Sequence, residues 1–303
     1  MTNDYDVFLI GSYFCDLIFT GLPELPRLGL DLFGTGFDMV PGASFRVAVA
    51  LKRLGLRAGW PCDFGDDFFS RFVIDQAERE GIDTGLFRRH PFPLPRVSVA
   101  FSFRHDRGFI SYMDRRRDPP PIDLVERHRP RAVLISHLAY GDEQAALVEA
   151  THAAGGLVYM DCQSDPATLA TPGVREAIGR VDIFAPNAAE ALHLTGADTL
   201  EGALAELADL APLAIVKRGA DGAIARAGEQ VAQAPALPVE VLDTTGAGDC
   251  FNAGFLYGRL AGWPLELCLR CGNICGALAT TCHGVERLPT AGQVADLLSR
   301  YPV

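Results

Sequence analysis

Short apolar runs alternate with stretches of helical periodicity along most of this chain. Residues 6–12 read as a brief apolar strand, 43–54 carry apolar residues at helical spacing and stop at Gly55, and 67–80 predict a second helix ending before Gly81. The rhythm then changes. The β-rich runs 96–103 and 109–113, separated by 104–108, predict a hairpin, and 16–21 and 33–40 predict two further short strands. From 131 onward the alternation returns, with strands over 132–136, 157–161, 182–185 and 213–217 separated mainly by Ala-rich helices. Helices over 247–260, 265–282 and 291–300 close the chain. Such alternation predicts an α/β fold with a mostly parallel central sheet covered on both faces. The pieces that break the rhythm, 15–40 and 96–115, are assigned to a small β lid; 1–14, 41–95 and 116–303 form the large domain.

Composition narrows the class. The 303 residues are 49% hydrophobic and 21% charged, enough to bury a large core. No basic-then-apolar leader opens the sequence and no uncharged run is long enough to span a bilayer, so a cytoplasmic protein without a membrane partner is expected. The 27 basic and 38 acidic residues give a net charge of −11, which opposes nucleic-acid binding and means that an anionic ligand needs a locally positive pocket. Eight cysteines invite a metal reading, but Cys268, Cys271, Cys275 and Cys282 share one helical face and continue an apolar pattern, so core packing is expected of them.

The chemistry concentrates in Asp243-Thr244-Thr245-Gly246-Ala247-Gly248-Asp249-Cys250-Phe251-Asn252-Ala253-Gly254. Gly246 and Gly248 can take backbone angles closed to other residues, so that the amides from Gly246 to Asp249 can face one anion at the positive end of a helix. A carboxylate there repels phosphate, so Asp249 is read as the base that takes a proton from an attacking hydroxyl. For Gly-x-Gly-Asp alone the plainer alternative is a helix start with a dipole-complementing acid; the whole string is more specific. The third glycine of a dinucleotide fingerprint would fall at Phe251, and the two lysines, Lys52 and Lys217, follow Leu51 and Val216, which excludes a Walker loop. Polar residues recur at the carboxyl ends of the predicted strands, where open parallel sheets bind ligands: Ser136 and His137, Asp161, Asn187 and Glu190, and Lys217. Each taken alone reads equally well as a cap or a solvated turn residue.

Over essentially its whole length the chain resembles the ribokinase-like, or PfkB, carbohydrate kinases. The 243–254 string looks like the family's C-terminal signature and Asn187-Ala188-Ala189-Glu190 like its Asn-x-x-Glu element. Val216-Lys217-Arg218-Gly219-Ala220-Asp221-Gly222 looks like its nucleotide-side turn, and 40–55 is similar to its N-terminal signature. The resemblance implies a three-layer αβα fold with a small β lid and transfer of the γ-phosphoryl of ATP to a hydroxymethyl group of a sugar-like acceptor. Asp249 would be the base, with Gly246, Ala247 and Gly248 as the anion hole. Asn187 and Glu190 would hold Mg2+ largely through water, Lys217, Gly219, Gly222 and Asn273 would line the nucleotide site, and Asp16 and Gly42 would meet the acceptor. Some relatives bind a monovalent cation such as K+ near the equivalent of Asp243, and lids in the family often pair as homodimers; both points stay open here.

Two departures bear on the acceptor. Where the family carries Gly-Gly and then Asn, this chain has Pro41-Gly42 and Arg46, and an arginine fork suits a carboxylate or phosphate. An anionic acceptor such as a sugar acid, met by Arg46 with Arg104 or Arg107, is therefore one expectation; Arg46 turning away to an acid on the lid is the other. The family's Asp-x-Asn-x-Arg is replaced by Asp161-Cys162-Gln163-Ser164-Asp165. A nucleoside acceptor stacked on Phe14, Phe33, Phe37 or Phe45 is the alternative within the fold. A non-catalytic sugar-binding sensor is the remote one, because Asp249 and the turn are intact.

Overall fold

The computed structural model describes residues 4–103, 106–163 and 165–300. In chain order the elements are β1 (Val7–Ile10), β2 (Tyr13–Thr20), β3 (Gly36–Ala43), α1 (Ser44–Arg53), β4 (Ala58–Gly59), β5 (Asp63–Phe64), α2 (Phe68–Arg79), β6 (Arg88–Arg89), β7 (Arg96–Phe103) and β8 (Asp106–Met113). They continue as α3 (Ile122–His128), β9 (Ala132–Ile135), α4 (Asp142–Ala153), β10 (Leu157–Asp161), α5 (Val174–Arg180), β11 (Ile183–Ala185), α6 (Ala188–Thr195), α7 (Leu200–Ala208) and β12 (Leu213–Lys217). The chain ends with β13 (Ala223–Ala227), β14 (Gln230–Ala234), α8 (Ala247–Leu260), α9 (Leu265–Ala279) and α10 (Ala291–Arg300).

The main sheet runs β14-β13-β12-β11-β10-β9-β1-β4, parallel from β12 to β4 and closed at the other edge by the antiparallel pair β13–β14. Its strands read as continuous apolar runs because successive side chains go to opposite helical layers. Val7, Leu9, Leu134 and Tyr159 pack with α1, α2, α8 and α9, whereas Phe8, Val133, Ile135, Val158 and Met160 pack with α3 to α7. The result is three αβα layers. Cys268, Cys271 and Cys275 are fully buried in α9, and a Cβ at Gly254 would meet Cys271 O and Cys275 Sγ at 2.7 Å. Backbone contact between α8 and α9 therefore depends on that glycine.

A second sheet, β3-β2-β7-β8, stands apart. It joins the four segments that break the alternation in the sequence, with β2 and β3 starting and ending a few residues from the expected bounds, and β8 beginning at Asp106 instead of 109. Arg104 lies outside the described residues, as does the side chain of Arg107. The β13–β14 hairpin and the two-residue strands β4, β5 and β6 are absent from the sequence expectation. No helix among the described residues is long and apolar enough to cross a membrane.

Candidate active site

The carboxyl ends of β10, β11 and β12 and the start of α8 meet at one edge of the main sheet. Gly246 caps α8 at φ 76°, a left-handed angle open chiefly to glycine. Ala247 N–H turns back to Thr244 O at 3.3 Å, while the amides of Gly248 and Asp249, in the first turn of α8, have no acceptor within the helix. Asp243 shapes the turn from below, its Oδ1 accepting from Thr245 N at 2.8 Å and Thr245 Oγ1 at 2.7 Å. The hydrogen bond of Asp243 N to Thr280 O, at 3.0 Å, ties the segment to the end of α9.

Asp249 sits in the first turn of α8, part-exposed at the mouth of the site. Its carboxyl is pushed up to about 6, first by loss of water around it and then by the negative charge of Asp161, with Lys217 and Arg46 opposing. Lys217 ends β12 and donates to both oxygens of Asp161 at 2.7 and 2.8 Å. A Cβ at Gly248 would lie 3.3 Å from its Nζ, so the absence of a side chain lets the ammonium approach the turn from beneath. Asn252, one helical turn beyond the base, donates to Asp161 Oδ2 at 2.5 Å and accepts from Tyr159 Oη at 2.8 Å. Neither Asn252 nor Tyr159 stands out in the sequence, because their role comes from contacts 91 and 93 residues away. The only local signal was their helical and strand register toward the core.

Asn187 and Glu190 form a reciprocal capping box on α6: Asn187 Oδ1 accepts from Glu190 N at 3.0 Å, and Glu190 Oε2 accepts from Asn187 N at 2.8 Å. The box orients Glu190 toward the other carboxylates. Its carboxyl is raised by burial and by Asp161 and Asp249, against the lowering effects of the Asn187 amide and Lys217. Both oxygens of Asp161 are engaged by Lys217 and Asn252, and Asn187 Oδ1 and Glu190 Oε2 are engaged in the capping box, so the oxygens of Asn187 and Glu190 could meet a divalent ion only through water.

Arg218 N–H bonds Gly222 O at 2.7 Å across the turn after β12, where Gly219 and Gly222 both have positive φ. A Cβ at Gly222 would strike Ala234 O at 2.0 Å. Asn273 of α9 is buried and donates to Ala234 O and Pro235 O at 2.9 and 3.0 Å, so its amide nitrogen is occupied in holding the exit of β14. On the second sheet, Asp16 is 6% exposed and faces Gly42, where a Cβ would lie 2.1 Å from Asp16 Oδ2. The glycine makes room for the carboxylate. Phe45 is a core residue at 1% exposure, Phe33 and Phe37 are open to solvent, and Phe14 is half-buried, so these four rings do not form one slot.

Arg46 departs from both expectations. Its side chain is 1% exposed, and its nitrogens donate to the carbonyls of Thr245, His283 and Gly284 instead of facing the cleft or a lid acid. It passes directly under the turn, with Cδ 2.5 Å from where a Gly246 Cβ would be. Ala43, just before α1, takes φ 51° and ψ −129°.

Residues 41–291 match the model of the pfkB family carbohydrate kinases. The chain is 27% identical over 301 residues to a ribokinase of Bacillus subtilis, covering 97% of this chain and 99% of that one. It is 31% identical over 265 residues to a fructokinase of Klebsiella pneumoniae, covering 80% of this chain and 86% of that protein. The fold aligns with a ribokinase of Arabidopsis thaliana complexed with ribose and ATP at a TM-score of 0.81 and 23% identity, over 97% of this chain and 98% of the other.

Proposed function

The chain belongs to the pfkB family of carbohydrate kinases and is a phosphotransferase acting on an alcohol group; from that premise we propose an ATP-dependent kinase that phosphorylates a hydroxymethyl group of a neutral, sugar-like polyol. The observation that carries this reading is the placement of Asp249, a carboxyl with its affinity for protons raised, at the amide-lined start of α8. Asp249 accepts the proton as the acceptor oxygen attacks the γ-phosphoryl in line. The Gly248 and Asp249 amides and the positive end of α8 stabilise the charge that develops on the transferring group. Lys217, held by Asp161, adds a fixed cation under Gly248. Asn187 and Glu190 would hold Mg2+ largely through water, and the ion would supply positive charge against the phosphate oxygens of ATP. The Gly219–Gly222 turn and the Asn273 region frame the nucleotide side.

A neutral acceptor is favoured by Arg46. With its fork spent on main-chain carbonyls, Arg46 is not available to pair with an anionic acceptor, and the buried Asp16 carboxylate beside Gly42 can accept hydrogen bonds from acceptor hydroxyls. The second sheet acts as a lid that excludes water and so suppresses hydrolysis of ATP. Its outer face suits a homodimer, and a need for ATP would suit a cytoplasmic enzyme. An ADP-release screen over neutral sugars, sugar acids, sugar phosphates and nucleosides tests the proposal. Turnover of a neutral sugar is expected; turnover confined to an acid or a nucleoside would overturn the acceptor class, and none with any alcohol would overturn the kinase.

A further inference from the structure

Three main-chain carbonyls from two segments far apart in sequence converge on the guanidinium of Arg46. Nη1 donates to Thr245 O at 3.3 Å and Gly284 O at 3.1 Å, and Nη2 to His283 O at 2.7 Å. The Asp243 carboxylate lies beside them, its Oδ1 accepting from Thr245 and its Oδ2 lying 3.4 Å from His283 Nδ1. Converging carbonyl dipoles next to a buried carboxylate create a pocket of negative potential. Proteins use such carbonyl sets to replace the hydration shell of a monovalent cation. Here a tethered cation already fills the volume. Guanidinium, weakly hydrated and always charged, is suited to that burial.

The fit is imperfect in an informative way. Arg46 Nε is buried without a partner, although a residue recruited only as a hydrogen-bonding brace would be expected to satisfy it. What the carbonyls do receive is positive charge. That charge is also felt at the base, since Arg46 opposes the upward shift of Asp249. Gly246 must lack a side chain for the arginine to pass, so the cation and the glycine turn are built around each other.

We propose that Arg46 is an internal substitute for a monovalent cation: its guanidinium holds the Thr245 and 283–284 carbonyls, fixes the turn that presents the Gly248 and Asp249 amides, and makes turnover independent of K+. Arg46 is then a positioning residue, acting on the reaction through the turn. A K+ ion beside it would have to share carbonyls that already accept from a cation, and the two positive charges would repel.

The effect on rate rests on the kinase reading above; the effect on cation binding does not. Turnover and melting temperature are measured for the wild type, Arg46→Ala and Arg46→Met, in tetramethylammonium buffer and with KCl or guanidinium chloride at matched ionic strength. The wild type is expected to show the same turnover and melting temperature with and without K+. Both variants should lose roughly tenfold to a hundredfold in kcat without a small cation, the scale of a misplaced anion-stabilising donor. K+ or low guanidinium should restore Arg46→Ala and raise its melting temperature, whereas Arg46→Met, whose apolar stem fills the volume, should not respond. A wild type activated or stabilised by K+ overturns the proposal, as does an Arg46→Ala protein that keeps full kcat without a cation or loses it beyond rescue. If Arg46→Ala fails to fold, the wild-type comparison still decides. If no alcohol is phosphorylated, the melting data still report whether the carbonyl set accepts K+ once Arg46 is gone.

Discussion

Asp249 illustrates how far one side chain can be tuned by its neighbours. Its carboxyl is pushed up to about 6 chiefly by loss of hydration and by Asp161, so the base is protonated in mild acid and ionised at neutral pH. Because the ionised form takes the proton, kcat/KM should rise with pH and reach half its plateau near pH 6. A flat profile from pH 5 to 8 would remove Asp249 from the role. Asp249→Asn keeps the shape and should lower kcat by roughly a hundredfold to ten-thousandfold, the span of general-base catalysis. Its stability should move the other way. A group whose folded pKa is raised above its unfolded value of 3.8 costs stability once ionised, a cost absent below pH 4 and fully present above about pH 6. At pH 7 the Asn variant should therefore melt no lower than the wild type, which distinguishes lost chemistry from lost folding.

At the scale of elements, the start of α1 stores strain that one substitution should release. Ala43 holds φ 51° and ψ −129°, a region that Cβ disfavours by roughly 1–3 kcal/mol. Glycine there removes the strain and gives back part of the gain, roughly 0.4–1 kcal/mol, through a freer unfolded chain. Ala43→Gly should thus raise stability by about 1 kcal/mol in urea unfolding, and a destabilised variant would show that the backbone is not strained. The same region marks what the sequence could and could not convey. The start of α8 and the Asn187–Glu190 box were legible because each is written in a few consecutive residues with their own backbone demands. The three-layer order was legible because strand and helix periods differ. Arg46 was not, since its partners lie 199 to 238 residues away and an arginine near a helix start carries no mark of burial. Nor was the β13–β14 hairpin, whose Ala-rich strands lack β-branched bias. Its one local signal was Gly228, at φ 57°, in the two-residue loop between Ala227 and Gln230.

For the whole molecule, the register of the second sheet separates two faces with different fates. Asp16 and Ser98 are paired across β2 and β7, are buried, and share the face on which Asp16 meets Gly42. The alternate rows align Leu17 with Val99 and Met39, Phe19 with Phe37 and Phe101, and Ile110 and Tyr112 on β8 opposite Val99 and Val97; Leu17 and Met39 are half-buried against the main core, whereas Phe19, Phe37, Ile110 and Tyr112 are exposed. Phe37, Ile110 and Tyr112 are each more than half exposed, at 58%, 67% and 58%. A monomer gains nothing from a cluster of exposed apolar side chains on a sheet face in water, and a second copy offers the matching face by two-fold symmetry. Because the opposite face bears Asp16, pairing of the outer faces would stiffen the lid while leaving it free to close over the acceptor. Sedimentation equilibrium should show a dimer, and Ile110→Asp, which buries an unpaired charge from each copy, should weaken association by at least roughly a hundredfold. Since Ile110 is exposed in a single chain, its substitution should leave the melting temperature of the monomer nearly unchanged. A wild type that sediments as a monomer at all concentrations, or an Ile110→Asp dimer as tight as the wild type, would assign this face to something other than self-association.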